Sequence, residues 1–475
     1  MRSSDDREMR EHVKGVVFNS KHKLNSEKEA YEKVEKEAHE KVEIEEENPL
    51  EPPKQIDDKI SEEENVAAVP AIKTDEITTT TTSATAKEQV TIRPEILRQL
   101  KEVGGRPPSI HIFYYPWYGN PEFDQKYIHW NHAYLKNWDK SDKAKYPEGT
   151  HKPPEDIGSV YYPQLGPYSS KNPAVIDKHM KWISSAGIDV VVVSWYPEGL
   201  ADDNGDDWGP IIPLLLNATE KYKMKMTLHL EPYAKQTAET VRRDIEYIVE
   251  KYGSHPAFYR TSRKNATKGQ KELPLLYAYD SYRIPVDEWT KLTSPNGSLS
   301  IRNTTFDVLL IGLYVQMEDR FKLKKAGFDG LYTYFAADGF SHGSTMSNWP
   351  SLSAYCAKND LLFIPSVGPG YDDTRVRPWN AKNTKERNGG NYYREHFEMA
   401  HSAKADIVSI TSFNEWHEGT QIEPAIPFKD ENGTEFVYKQ YEKGAEQYLE
   451  ITLEMIKAYF TPHHENIPMQ IERII

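Results

Sequence analysis

From Pro94 onward, short apolar runs rich in β-branched and aromatic residues alternate with stretches whose apolar positions recur every three to four residues. The runs Ile110–Tyr115, Val190–Trp195, Met224–Leu230, Leu275–Tyr279, Val308–Tyr314, Gly330–Tyr334, Leu361–Ser366 and Ile407–Thr411 predict eight strands. The stretches Pro173–Ala186, Pro210–Tyr222, Thr237–Tyr252, Pro285–Leu292, Met317–Ala326, Pro350–Lys358 and Tyr392–Lys404 predict the helices between them, and Gly444–Phe460 a last one. Strict alternation of this kind is the pattern of a (β/α)₈ TIM barrel with enlarged βα loops, here over residues 93–475; a doubly wound open sheet is the alternative. Residues 1–92 have another texture. Glu27–Glu47 is mostly charge, Pro52 and Pro53 follow, and Ile77–Lys87 is a threonine-rich tract, so this part reads as a disordered stem.

Four predicted strands are entered through an aspartate: Asp189, Asp307, Asp329 and Asp406. In a barrel these positions lie on the N-terminal, stability face, so they are expected to cap rather than to react. The C-terminal strand ends carry a different set: Tyr114-Tyr115-Pro116-Trp117-Tyr118, Ser194-Trp195-Tyr196, His229-Leu230-Glu231, Tyr277-Ala278-Tyr279-Asp280, Tyr332-Thr333-Tyr334, and a segment after the seventh strand with Asp372, Asp373, Arg375, Arg377 and Trp379. The eighth strand runs into Asn414-Glu415-Trp416-His417-Glu418.

Two carboxyls beside an indole at a strand end supply an acid, a base and a flat apolar face for a sugar ring. An arbitrary Glu-x-x-Glu is most often a solvated acidic loop; the tyrosines and tryptophans at the other strand ends reverse that reading here. If Glu415 and Glu418 share one helical turn, their Cβ atoms lie about 5–6 Å apart. That matches the short carboxyl separation of retaining glycosidases rather than the roughly 6.5–9.5 Å of inverting ones.

Composition narrows the field. A net charge of −14 over 475 residues speaks against nucleic acid or an anionic membrane as partner. The single cysteine, Cys356, excludes an intrachain disulfide and a thiolate-rich metal site. Asp202–Asp207 has the composition of a calcium loop without EF-hand spacing, and His229 with Glu231 lacks a second spaced pair, so no metal or other cofactor is expected. No apolar run is long enough to span a bilayer, and Val13–Phe18 is too short for a signal-peptide core. Sequons at Asn217, Asn265, Asn296, Asn303 and Asn432 point weakly to the secretory pathway.

Taken together, FYYPWYGNPEF from Phe113, YYPQLGPYSS from Tyr161, GIDVVVVSWY from Gly187, HLEPY from His229, GFDGLYTYF from Gly327, DTRVRPWN from Asp373 and FNEWHEGTQIEP from Phe413 resemble glycoside hydrolase family 99, the endo-α-1,2-mannosidases. The resemblance implies a retaining barrel enzyme that cleaves the internal α-1,2-mannosidic bond of glucosylated high-mannose N-glycans. It places the catalytic carboxyls on Glu415 and Glu418. Glu415 would act as base on the substrate's own 2-hydroxyl to give a 1,2-anhydro sugar, and Glu418 would protonate the leaving oxygen. Substrate contacts are expected from Trp208 and Tyr334, then from Tyr115, Tyr118, His229, Glu231 and Arg377, with Trp416 as a stacking face. The implied partner is the N-glycan or its glycoprotein and the implied location the Golgi lumen, although the signal-anchor helix of animal members is not found in these residues; the chain is expected to be a monomer. Sequence leaves two other readings open: a catalytically idle glycan-binding barrel, and a barrel glycosidase acting on other α-glucans or mannans.

Overall fold

A computed structural model describes residues 108–136, 146–200, 202, 206–267, 269–428 and 436–461. The expected stem, residues 1–92, and the sequon at Asn432 lie outside the described residues. All eight expected strands are present: β1 (Ser109–Tyr114), β2 (Val190–Trp195), β3 (Lys225–Leu230), β4 (Leu273–Ala278), β5 (Leu309–Leu313), β6 (Gly330–Tyr332), β7 (Leu362–Ile364, resumed as Ser366–Val367) and β8 (Ile407–Ile410). Each barrel strand pairs in parallel with its neighbours in chain order, and β8 returns to β1 with Ser109 opposite Ile407. Closure passes through β7. Pro365 has no N–H to give, so the first half of β7 pairs with β6 and the second half with β8. The ring is a (β/α)₈ barrel, not an open sheet.

The helices follow their strands: α1 (Pro173–Ser185), α2 (Ile212–Lys221), α3 (Ala238–Tyr252), α4 (Val286–Thr293), α5 (Asp319–Lys325), α6 (Trp349–Lys358), α7 (Asn391–Ser402) and α8 (Gln447–Tyr459). Their starts are those the sequence marks. Asn172 accepts from the Ala174 amide with Pro173 at the first position, and Thr237 and Thr240 cap each other's amides.

Strand periodicity of two fills the interior. His111 and Phe113 on β1, Thr227 and His229 on β3, Tyr277 on β4 and Tyr332 on β6 point inward and are all but fully buried. Phe113 lies 4.8 Å from the His229 ring, 5.5 Å from Tyr277 and 5.8 Å from Tyr332. This aromatic plug is the floor of whatever lies above it.

On the opposite face the aspartates act as expected, with one refinement. Three of the four reach across to the neighbouring strand rather than capping their own, while Asp307 accepts from the Asn303 amide just before its strand. Asp189 accepts from the Ile110 amide, Asp329 from Leu310 and Asp406 from Phe363, each at 2.9 Å. Asp307 and Asp329 share Arg263 and Arg302. Replacing Asp329 with Ala leaves the nearly buried Arg302 and the Leu310 amide short of an acceptor. We expect a loss of about 3 kcal/mol in stability, seen as a lower urea midpoint, with unchanged catalytic constants.

Candidate active site

The segment after β8 folds back on itself. Ser412 donates its amide to the Thr420 carbonyl at 2.9 Å, and its hydroxyl accepts from the Glu415 amide at 2.8 Å. Between these anchors, Glu415 to Gly419 forms a hydrogen-bonded turn rather than the helical turn expected. Gly419 has φ +61°, and a Cβ there would sit 2.7 Å from the Asp372 carbonyl, so only glycine closes the turn without strain. Asn414 ties the turn to β1: its side chain accepts from the Tyr115 amide at 2.8 Å and donates to the Tyr115 carbonyl at 2.9 Å. A side-chain amide thus continues the β1–β8 ladder one step beyond the strands.

The same period that fills the barrel builds the site one step higher. Counting two residues up from Phe113, His229, Tyr277 and Tyr332 gives Tyr115, Glu231, Tyr279 and Tyr334. Tyr115 and Tyr334 share a short hydroxyl–hydroxyl hydrogen bond. The Tyr279 and Tyr334 rings meet edge to face at 5.0 Å. Glu231 accepts from the Ser194 hydroxyl at 2.8 Å, with His229 Nδ1 3.3 Å from its carboxylate. Beside Ser194, a cleft is walled by Trp117, Trp195, Tyr196 and Trp208. Trp208 donates its indole N–H to Asp202 at 2.8 Å, and Asp202 also meets His129 Nε2 at 2.8 Å.

Burial raises the pKa of both glutamates. Glu415 is held well above the ordinary carboxyl range by loss of solvent and then by the charge of Glu418; the His417 amide, donating to Glu415 Oε1 at 3.1 Å, and Arg377 work against the rise. Glu418, the more open of the two, is raised to about 7 by burial; Arg377 opposes this, while Asp373 and Glu231 add to it. Two carboxyls so coupled share one proton near neutrality. The His417 amide falls on Glu415 and tempers, without cancelling, the rise that burial and Glu418 impose there. The tyrosines carry no such ambiguity: Tyr115 and Tyr334 are pushed up by burial and by the nearby carboxylates, so both remain hydroxyl donors. Arg377 is fixed by Asp373 at 3.2 Å, which Tyr371 and Asn380 also bond. Among the described residues, no group of three or more His, Cys, Asp or Glu is arranged to hold a metal ion.

Of the residues picked out by sequence, Glu415, Glu418, Tyr115, Glu231, Tyr334 and Arg377 interact electrostatically as one group, and Trp208 walls the adjoining cleft. Three take other places. Trp416 is fully buried with its indole N–H on Glu423 at 2.9 Å, so it offers no stacking face. Tyr118 is fully buried, donating to the Asn414 carbonyl and accepting from the Trp416 amide. His229 lies in the aromatic floor with Nε2 on the Tyr332 hydroxyl at 2.7 Å, one step below Glu231. Sequence reading set Tyr279 and Asp373 on the strand-end rim without giving them a role and left Tyr371 unassigned, yet the charges or rings of all three bear on Glu418 or Tyr334. Tyr279 was recoverable, because it stands two residues beyond the inward-facing Tyr277. Tyr371 and Asp373 lie in a loop, where no period indicates direction.

Comparison with known proteins gives the relatives of the chain. Residues 108–461 match glycosyl hydrolase family 99. The chain is 46% identical over 350 residues to the glycoprotein endo-alpha-1,2-mannosidase of Rattus norvegicus, covering 74% of each. It is 48% identical over 344 residues to the glycoprotein endo-alpha-1,2-mannosidase-like protein of Homo sapiens, covering 72% of this chain and 74% of that one. Among solved structures, the GH99 endo-alpha-mannosidase from Bacteroides thetaiotaomicron superposes with a TM-score of 0.67 at 40% identity, covering 74% of this chain and 97% of the other.

Replacing Arg377 with Gln removes the cation that favours ionised Glu418 and leaves Asp373 in place. The Glu418 midpoint should move upward from about 7. A titration followed by carbon NMR of labelled glutamate carboxyls reads this directly; an unmoved or lowered midpoint contradicts the electrostatic picture.

Proposed function

The chain belongs to glycosyl hydrolase family 99, and from that membership and the site geometry we propose that it is a retaining endo-α-1,2-mannosidase cutting the internal α-1,2-mannosidic bond of glucosylated high-mannose N-glycans. The observation that carries the reading is the Glu415–Glu418 pair: two coupled carboxyls of raised pKa, set at the C-terminal mouth of the barrel among tyrosine hydroxyls.

The chemistry runs in two displacements. Glu415, as carboxylate, takes the proton of the 2-hydroxyl on the mannose being cleaved. That oxygen attacks C1 as the C1–O bond to the next sugar breaks, and Glu418 gives its proton to the departing oxygen. The axial 2-hydroxyl of mannose is trans to an α leaving group, so the attack is in line and gives a 1,2-anhydro sugar. Glu418, now a carboxylate, deprotonates water, which opens the three-membered ring at C1; O2 recovers the proton held by Glu415. Two inversions give net retention. A group that must act first as acid and then as base works best with a pKa near the working pH, in keeping with a Glu418 value of about 7. Arg377 steadies it in the charged half of the cycle. Tyr115 and Tyr334 present hydroxyls to the sugar, and Trp208 with Trp117 gives an apolar wall for the glucosylated end.

The same reading puts the chain in the Golgi lumen, acting as a monomer. The exposed sequon asparagines Asn217, Asn265, Asn296 and Asn303 are in keeping with a lumenal protein. Among the described residues no helix is long and apolar enough to cross a membrane.

Incubation with a glucosylated high-mannose glycan tests the activity. Release of a glucosyl-mannose disaccharide with α configuration in the first-formed product is expected; binding without cleavage would make the chain an idle lectin-like barrel. The route has its own test. A substrate whose reacting mannose lacks the 2-hydroxyl should be inert, losing on the order of 10² to 10⁴ in rate or more, whereas a glutamate nucleophile would still cleave it.

A further inference from the structure

Behind the catalytic turn lies a third carboxylate that the mechanism does not use. Glu423 has no solvent exposure, yet it accepts three hydrogen bonds: from the Tyr168 hydroxyl at 2.8 Å, the Trp416 indole N–H at 2.9 Å and His179 Nε2 at 3.1 Å. His179 Nδ1 in turn meets the Tyr114 hydroxyl at 3.0 Å. Its three partners come from the segment before α1, α1 itself and the β8 turn, and through His179 the network reaches Tyr114 on β1.

A buried carboxylate is an expensive way to fill space. Apolar residues of similar volume are commonly as stable or more so. What a carboxylate adds is direction: its two oxygens fix where an N–H or O–H must point. Here the fixed group is the indole of Trp416, the residue between Glu415 and Glu418 whose carbonyl also accepts the Gly419 amide closing the turn. Tyr168 links the same carboxylate to Asn414, whose side-chain amide donates to the Tyr168 hydroxyl at 3.2 Å. Both residues that set the path of the turn, Asn414 before Glu415 and Trp416 after it, are therefore referred to one buried anion.

We propose that Glu423 is a positioning residue of the reaction: it sets the relative placement of Glu415 and Glu418 by holding Trp416 and, through Tyr168, Asn414. This role rests on the glycosidase reading of that pair. It also gives Trp416 a task in place of the sugar-stacking one that its neighbours in sequence imply.

The test compares Glu423→Gln, Trp416→Phe and the double variant in the full chain, with kcat and KM on a glucosylated high-mannose glycan and melting curves by circular dichroism. Displacing reacting groups by about 1 Å can cost 10²-fold in rate, so each single change should lower kcat by about 10- to 100-fold with KM held within about twofold. Because both changes break the same contact, the double variant should be no slower than the slower single one. Wild-type kcat in either folded single variant, or losses that multiply in the double, would overturn the role. Should Glu423→Gln fail to fold, Tyr168→Phe decides: it keeps the ring, removes only the hydroxyl that joins Glu423 to Asn414, and should lower kcat by the same factor, whereas a wild-type kcat would overturn the role. A wild-type chain that turns over no glycan overturns the activity itself, and this role with it.

Discussion

Two carboxyl groups set beside each other and out of water resist ionisation, and the surrounding structure is organised to hold them in that state. Solvent would relax the conflict, and so would a flexible loop. Glu415 has almost none of the first and Glu418 only a part of it, and neither has the second. The Ser412–Thr420 closure, the Gly419 backbone and the Asn414 bridge to Tyr115 fix the turn that carries them. The tyrosines around them are themselves buried and protonated, so they contribute hydroxyls without adding charge. Rigidity of this kind keeps a pair with opposed preferences ready for proton exchange with a substrate rather than with water.

The barrel supplies that rigidity from its other end. At the N-terminal face, Asp189, Asp329 and Asp406 reach between strands, and Asp307 and Asp329 share Arg263 and Arg302, which pins register. Between the two ends sits a layer of aromatic side chains around Phe113. Strand alternation links all three levels, because a residue two positions above a floor residue must emerge into the mouth. Tyr115, Glu231, Tyr279 and Tyr334 are where they are for that reason.

This also explains how far the sequence could be read. Alternating apolar and amphipathic segments placed every strand to within a residue or two, and strand-end chemistry gathered at one mouth of the barrel, because both follow from periods of 2 and 3.6. Past the strand ends no period operates. Trp416 stands between two catalytic-type glutamates and reads as a sugar platform, yet the turn sends its ring backward to Glu423. Tyr118 fails in the same way: its hydroxyl is engaged by Asn414 and Trp416, nearly 300 positions away in sequence. A break such as Pro365 was in view, but that it divides β7 between two neighbours is a property of the closed ring.

The asymmetry between the two glutamates follows from what surrounds each. Glu415 receives a backbone amide, a fixed dipole that cannot move away as its charge appears. Glu418 faces Arg377 and Asp373, one favouring its charge and the other opposing it. An unopposed arginine would hold Glu418 ionised and useless as an acid; an unopposed aspartate would keep it protonated and useless as a base. Burial raises Glu418 first, and because Arg377 is itself bonded to Asp373 its opposing pull is only partial, which leaves Glu418 at about 7. A residue required to give a proton and then take one back within a single turnover needs that balance more than it needs either extreme.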